Sequence, residues 1–543
     1  MTLEPRARLG THEVLNQPPA PGDRDLWQDD PVLRSHLADT QVDGADLSTY
    51  ARTIGTADMA DTARQANRHP PELKLFDSGG RRLDEVAFHP AYHRFMQTSA
   101  AAGYHCVAWE GRADGHVHHG AMVYLASQVE PGHCCPLTMT YAAAPVLRAA
   151  GLDTWHARAT ARVYDPSVRP VGQKAGATLG MAMTEKQGGS DVRANTTRAV
   201  PDGDGAGDGD GWRLTGHKWF CSAPMSDGFL TLAQTDSGLT CFLVPRWLDG
   251  DRNGIRIQRL KDKLGNRSNA SSEIEYDDAF AWKIGNEGDG VRTIVEMVHH
   301  TRLDTAMAPA GLMRAALREA QYWASHRSAF QRRLIDQPLM RAVLADLSLD
   351  CAGALALGLH VARHFDGGAQ DRAFARIGVA LAKYLANKLC PLVVVEAMEA
   401  LGGMGYVEDT PLPLLYREAP LNGIWEGSGN VICLDVLRTL ARDPLSAETL
   451  QATLLGARGR MGEYDLALDA HLARWGKGVP EAEARWFVER TGLLLTASVL
   501  LTRGDPAIAE AFVATRLTGE RGRFAGAMAA SVAGDVLDAC FAA

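Results

Sequence analysis

Trp212-Arg213-Leu214-Thr215-Gly216-His217-Lys218-Trp219-Phe220-Cys221-Ser222 opens with apolar and polar residues in alternation and then carries paired aromatics, the pattern of a half-buried strand. Three further stretches nearby, 228–235, 239–245 and 272–276, read the same way. This β block has helical spacing on both sides. From 47 to about 180 the apolar residues recur mostly at helical intervals, with breaks at His69-Pro70-Pro71 and Asp77-Ser78-Gly79-Gly80. Helical spacing resumes over 289–325, 338–366, 371–402 and 429–442. Residues 444–543 form a last Ala/Leu-rich helical region, broken at 476–480 and 504–506. Residues 1–45, rich in Pro, Asp and Gly, are expected to run extended over a surface.

Helices, a small β domain, then helices again is the order of an α+β chain, not of alternating strand–helix units. Gly402-Gly403-Met404-Gly405 follows a helix instead of a strand, so it is poor evidence for a dinucleotide fingerprint. The expected domains are 1–180 (helical, with the extended N-terminal segment), 181–285 (β), 286–442 (helical bundle) and 443–543 (extra C-terminal helices). A chain of 543 residues can bury several cores.

The main candidate for chemistry is Ile424-Trp425-Glu426-Gly427-Ser428-Gly429-Asn430. One carboxylate stands beside an indole and a Gly-Ser-Gly turn. In a partly dry pocket facing a flat ligand, its pKa rises toward neutrality, where it can take and return a proton. The alternative is a Glu serving a helix dipole. In Met181-Ala182-Met183-Thr184-Glu185-Lys186-Gln187-Gly188-Gly189-Ser190-Asp191, hydroxyls and glycines offer close backbone approach to a ring edge or phosphate, or simply a capped turn. The aromatic strand ending at Phe220 and Ser222 can stack on a flat ring and bond its edge. Arg302 and Arg327, with Phe330 beyond, can pair with a phosphate or stand near a catalytic carboxylate.

In this order and spacing, from about residue 100 to 442, these segments together with Leu401-Gly402-Gly403-Met404-Gly405-Tyr406 resemble the acyl-CoA dehydrogenase superfamily. Four stretches resemble its AidB-like alkylation-response branch more closely: Leu15-Asn16-Gln17-Pro18, Asn67-Arg68-His69-Pro70-Pro71-Glu72-Leu73, 185–191, and Lys263-Leu264-Gly265-Asn266-Arg267-Ser268-Asn269-Ala270-Ser271. The extra C-terminal helices fit that branch too.

The resemblance implies an acyl-CoA dehydrogenase-like fold with FAD as cofactor. It implies that Met183, Thr184, Gly189, Ser190, Phe220 and Ser222 line the flavin, that Gly402 and Gly403 contribute to cofactor binding, and that Trp425, Ser428 and Asn430 approach from the helical domain. Arg327 and Phe330 would reach the FAD of an adjacent subunit in a homotetramer. Glu426 matches the catalytic base and Arg302 a substrate-binding position. Some relatives carry the base just before the residue matching Arg302; Thr301 stands there and cannot serve. Two departures are Glu399, where Gln is expected, and Gln331, where Gly is usual.

The branch also implies double-stranded DNA binding and protection during DNA alkylation or its repair, with weak activity on isovaleryl-CoA-like substrates. The other reading is a metabolic short- or branched-chain acyl-CoA dehydrogenase with no DNA role. Net charge is −9, and beyond Leu440 about 11 Lys and Arg face about 13 Asp and Glu, so a DNA surface would need a local patch. Arg458, Arg460, Arg485, Arg490, Arg516, Arg521 and Arg523 are the candidates for that patch.

No apolar run is expected to span a membrane, the N-terminus lacks the apolar core of a signal peptide, and nine unpatterned cysteines suggest reduced thiols in the cytoplasm. The Asp/Gly run 202–211 looks like a calcium loop but has Arg213 where a bidentate Glu is needed. His116, His118 and His119 are expected in a surface loop without a metal, Cys134-Cys135 in or near a core, and His299-His300 on a packed helix.

Overall fold

The computed structural model describes residues 5–203 and 211–541; most of the Asp/Gly run 202–211 lies outside the described residues. The N-terminal domain holds α1 (Pro31–Leu37), α2 (Gly44–Ile54), α3 (Ala57–Arg68), a hairpin of β1 (Glu72–Phe76) and β2 (Arg82–Ala87), α4 (Pro90–Ala102), α5 (Gly115–Ser127), α6 (Cys134–Ala149) and α7 (Asp153–Ala159). Two expectations are corrected here. The segment 1–45 is not extended throughout, because Leu26, Val32, Leu33 and Leu37 are buried and Asp30 caps α1. Of the two breaks expected between helices, the first instead leads into β1 and the second forms the turn that joins the antiparallel β1–β2 pair.

The middle domain is a barrel. It contains β3 (Leu179–Ala182), β4 (Arg198–Pro201), β5 (Gly211–Ser222), β6 (Gly228–Thr235), β7 (Gly238–Pro245), the small ribbon β8 (Trp247–Leu248) and β9 (Asp251–Arg252), β10 (Ile255–Leu260) and β11 (Ser271–Ile284). The ring β11-β5-β4-β6-β7 closes because β7 pairs with both β6 and β11; β3 and β10 extend it. Closure satisfies backbone groups that an open edge would leave unpaired. The four strands read from sequence are all present, and β11 runs well past the stretch 272–276 read for it.

The helical bundle follows with α8 (Gly290–His326), α9 (Pro338–Arg363), α10 (Ala369–Ala400), α11 (Leu412–Glu418) and α12 (Gly429–Arg442). A Cβ added at Gly311 on α8 would meet Tyr124 O of α5 at 2.4 Å, so this helix crossing depends on glycine. By length and composition, α9 and α10 are apolar enough to cross a membrane, contrary to the sequence expectation. Their apolar windows are 89% and 78% buried, as core helices of the bundle.

The C-terminal region, α13 (Pro444–Leu455), α14 (Gly462–Trp475), α15 (Ala484–Arg503), α16 (Pro506–Arg516) and α17 (Ala533–Cys540), packs on α9, α10 and α12. Arg314 of α8 ties the ends of the chain together: it pairs with Asp30 and donates to Cys540 O. Arg516 and Arg521 turn inward onto Asp346 and Asp350 of α9. This takes two arginines out of the proposed surface patch.

Three of the four stretches that marked the branch are joints between domains. Buried Glu130 accepts from Asn67 Nδ2 (3.1 Å), His133 N (2.8 Å) and Ser268 Oγ (2.7 Å), so the segments around 67 and 263–271 converge on one carboxylate. Asn266 N in turn donates to buried Glu418 of α11. Asn16, in left-handed backbone (φ 57°), accepts from Ser328 N and donates to Ser328 O at the end of α8.

Breaking the Arg516 cluster leaves buried Asp346 and Asp350 short of a partner. Arg516→Ala is expected to lower unfolding stability by about 3 kcal/mol, read by chemical denaturation. A change under about 1 kcal/mol would show that the C-terminal region is not anchored there.

Candidate active site

Two sequence motifs hold each other in place on the barrel. Glu185, at the end of the Met-Thr-Glu segment after β3, is buried and accepts from Thr196 N (2.6 Å), Thr197 Oγ1 (2.6 Å) and Lys218 Nζ (2.8 Å). Lys218 comes from β5, is 1% exposed and also donates to Leu232 O. The Lys218 ammonium and these donors outweigh burial and bring the Glu185 carboxyl down to about 2. The loop between β3 and β4 is thus clamped to the strand that carries Phe220 and Ser222.

On this scaffold Thr184 and Ser222 are partly exposed, and Gly189, Ser190 and Phe220 are open to solvent. A Cβ at Gly189 would meet Thr184 Oγ1 at 2.4 Å, so the turn closes against Thr184 only because glycine stands there. Ser222 Oγ lies 3.2 Å from Ser271 Oγ. Met183 and Trp425 pack on one apolar cluster built from Met139, Tyr141, Leu147 and Met297, which links barrel and bundle. Exposed hydroxyls, a close backbone approach and a half-exposed phenyl ring with the Lys261 ammonium 4.7 Å from its centre fit a flat, polar-edged cofactor such as FAD.

Glu426 enters from the bundle, in the turn before α12. It has left-handed backbone (φ 57°) and is followed by Gly427 at φ 104°. Its Oε2 accepts from Thr301 Oγ1 at 2.8 Å. Arg302 Nε donates to Glu426 O at 3.3 Å, and its Nη1 pairs with Asp435 at 2.6 Å. Arg376 binds the same Asp435, so Arg302 stands beside Glu426 with its charge already engaged. Burial raises the Glu426 carboxyl above its usual range, while Thr301, Lys383 and Arg302 oppose the rise. Trp425 Nε1 donates to Asn422 Oδ1 at 2.7 Å.

The other expected cofactor residues lie at the start of α12, in the turn after α10 and just beyond the end of α8. Ser428 and Asn430 are exposed, and Asn430 Oδ1 accepts from Arg485 of the C-terminal region. Gly402 and Gly403 sit in the open turn after α10, with nothing within 4 Å of an added Cβ. Arg327 donates to Asn16 O, and Phe330 is 95% exposed. Phe330 and Gln331 both take left-handed backbone, the reason glycine is usual at 331. Glu399 is exposed on α10.

His116, His118 and His119 are not in a surface loop: they lie buried on α5, and this expectation is corrected. The apolar run Val117 to Leu125 carries them into the core, where His116 binds Asp366 and His119 binds Asp304. His299 stacks on Phe365. Among the described residues no group of His, Cys, Asp and Glu is arranged to hold a metal.

Comparison with known proteins agrees with this geometry. The family model "Adaptive response protein AidB N-terminal domain" matches residues 16–166; the acyl-CoA dehydrogenase middle domain matches 180–279 and its C-terminal domain 288–441. The chain is 43% identical to AidB of Escherichia coli over 92% of its own length and 94% of that protein's. The chain belongs to the AidB-like acyl-CoA dehydrogenases. It is also 34% identical to acyl-CoA dehydrogenase family member 11 of Caenorhabditis elegans, over 76% of this chain and 70% of that protein. The solved structure of Caenorhabditis elegans ACDH-11 in complex with C11-CoA superposes with TM-score 0.82 at 26% identity, covering 94% and 93% of the two chains. This AidB-like chain is therefore an FAD-dependent acyl-CoA dehydrogenase-type oxidoreductase.

Sequence reasoning set Thr301 aside as unable to act as a base, and overlooked it as a donor to the Glu426 carboxylate. Removing that donor disfavours the carboxylate. In Thr301→Val the rising limb of the pH–rate profile is expected to move up by about one unit, the scale of one hydrogen bond to a charged group. A limb that stays in place would remove Thr301 from the site.

Proposed function

We propose that this protein removes the α-proton of a short or branched acyl-CoA with Glu426 as the base. The observation that carries the reading is the Glu426 carboxylate, held by Thr301 and raised by burial, in a turn whose Trp425 packs on the same apolar cluster as Met183 of the barrel segment. A base whose pKa lies above the carboxylate range takes up a proton more readily near neutral pH. Bound FAD would supply the acceptor for the β-hydrogen and its electron pair, leaving a 2-enoyl-CoA. Thr184, Ser190, Phe220 and Ser222 would hold the cofactor, and Met183 and Trp425 would close the cleft around it. Fixing base and acceptor on opposite sides of the substrate supplies much of the rate, since neither group must search for its bond. Arg302 would act at the substrate end chiefly by fixing the Glu426 backbone.

The test is anaerobic mixing of purified holoprotein with isovaleryl-CoA. Bleaching of the flavin band is expected, and Glu426→Gln is expected to slow it at least a hundredfold. Equal bleaching by both proteins would contradict the role of Glu426.

The AidB-like sequence also supports a second role, binding of duplex DNA and its protection during alkylation stress. Solvent-facing cations of the C-terminal region favour it: Arg485 is exposed beside Trp486, whose ring is half exposed and lies 4.0 Å beneath Arg474. Arg458 and Arg460 are also exposed. Such contacts would be sequence-tolerant and salt-dependent. We assign the protein a homotetramer, in which Arg327, Phe330 and the 402–403 turn would meet a neighbouring subunit's cofactor. We also assign it to the cytoplasm, in keeping with nine free, buried cysteines.

Because the C-terminal helices are core-anchored, truncation would disturb the fold; charge substitutions are the cleaner test. Arg474→Glu with Arg485→Glu is expected to weaken duplex binding about tenfold at low salt and to flatten the salt dependence, leaving flavin content unchanged. Unchanged binding would move any DNA surface away from this face.

A further inference from the structure

Lys383 lies within α10 in the run Val379-Ala380-Leu381-Ala382-Lys383-Tyr384-Leu385-Ala386 and is 1% exposed. An ammonium so placed needs partners, because burial without them is expensive. Its Nζ donates to Asn422 O at 2.8 Å and to Gly427 O at 2.9 Å. These two carbonyls bracket the turn that carries Trp425 and Glu426. Asn422 also holds the Trp425 indole through its side chain. Left-handed backbone at a non-glycine residue persists only where surroundings over-determine it, and Glu426 is such a residue. One buried amine thus fixes both ends of the segment whose conformation aims the carboxylate.

We propose that Lys383 is a positioning residue for acid–base chemistry at Glu426, stapling the 422–427 turn by its two hydrogen bonds and favouring the carboxylate by its charge. The proposal rests on Glu426 being the base. Two effects are separable. The hydrogen bonds set where the carboxylate points, and therefore the plateau rate. The charge sets how readily Glu426 loses its proton, and therefore the position of the rising pH limb. The charged groups acting on Lys383 are Glu426, Arg302 and Lys388; burial brings the amine down to about 7. Those acting on Glu426 are Lys383 and Arg302, with the Thr301 hydroxyl bonded to it. Over the pH range below about 7 the amine is charged, so its loss moves the Glu426 limb upward.

The experiment measures the anaerobic bleaching rate with isovaleryl-CoA across pH in the holoproteins of Lys383→Gln, Lys383→Met and Lys383→Arg, with FAD content and melting temperature alongside. Gln keeps amide donors and drops the charge: the limb is expected to rise by about one pH unit, with the plateau within about threefold of the parent. Met drops both: the same limb shift is expected with the plateau at least tenfold lower. Arg, which restores charge and donors, should return the limb to within about 0.3 unit of the parent's. If Lys383→Met does not fold, the Lys383→Gln limb decides. An unmoved limb in folded Lys383→Gln, or a parent-like plateau in folded Lys383→Met, overturns the proposal. Parent-like bleaching in Glu426→Gln would instead overturn the assignment of the base.

Discussion

The hydrogen bond from Thr301 to Glu426 joins two distant stretches of the helical bundle. Thr301 belongs to α8, the 37-residue helix that also packs on α5, α6, α9 and α10. Glu426 belongs to a turn with unfavourable backbone geometry that has no helix or strand of its own to hold it. The turn keeps its shape because Thr301 fixes the carboxylate, Arg302 the Glu426 carbonyl, and Lys383 the carbonyls of Asn422 and Gly427. Local strain is thus carried by three helical side chains whose own positions are set by core packing.

The same logic holds on the barrel side. Glu185 and Lys218 come from separate motifs and are both buried, so each would be a destabilising charge without the other. Paired, they fix the 185–191 turn against β5. The candidate site residues therefore belong to two segments anchored independently, one to the barrel through this ion pair and one to the bundle through Thr301 and Lys383. Glu130 joins the N-terminal helices to the barrel loop around Ser268, and Asn266 joins that loop to α11. The relative placement of the two halves follows from a short series of buried polar contacts.

Much of this was legible in the sequence because periodicity records burial. β5 opens in alternation and β6 and β7 are short, almost fully buried apolar runs, and the helices over 289–325, 338–366, 371–402 and 429–442 carry apolar stripes that end within a few residues of α8, α9, α10 and α12. The β1–β2 hairpin was missed because its strands are short: Leu73, Leu75 and Phe76 in one and Leu83 and Val86 in the other are too few to stand out within a helical region. His116, His118 and His119 were misplaced because nearby Gly and Asp suggested a loop, whereas the apolar run after them decides their burial. Lys383 left a signal that went unread, a single cation inside an uninterrupted apolar run. The inward turn of Arg516 and Arg521 had none, since only the fold brings them to Asp346 and Asp350.

The central claim is that Glu426 withdraws the α-proton. The most direct measurement is α-carbon deuterium exchange in D2O, followed by NMR, for an acyl-CoA incubated with the anaerobic holoprotein. The account predicts deuterium at the α-carbon with the parent protein and none above background with Glu426→Gln of equal FAD content. Exchange at the parent rate in Glu426→Gln would contradict it.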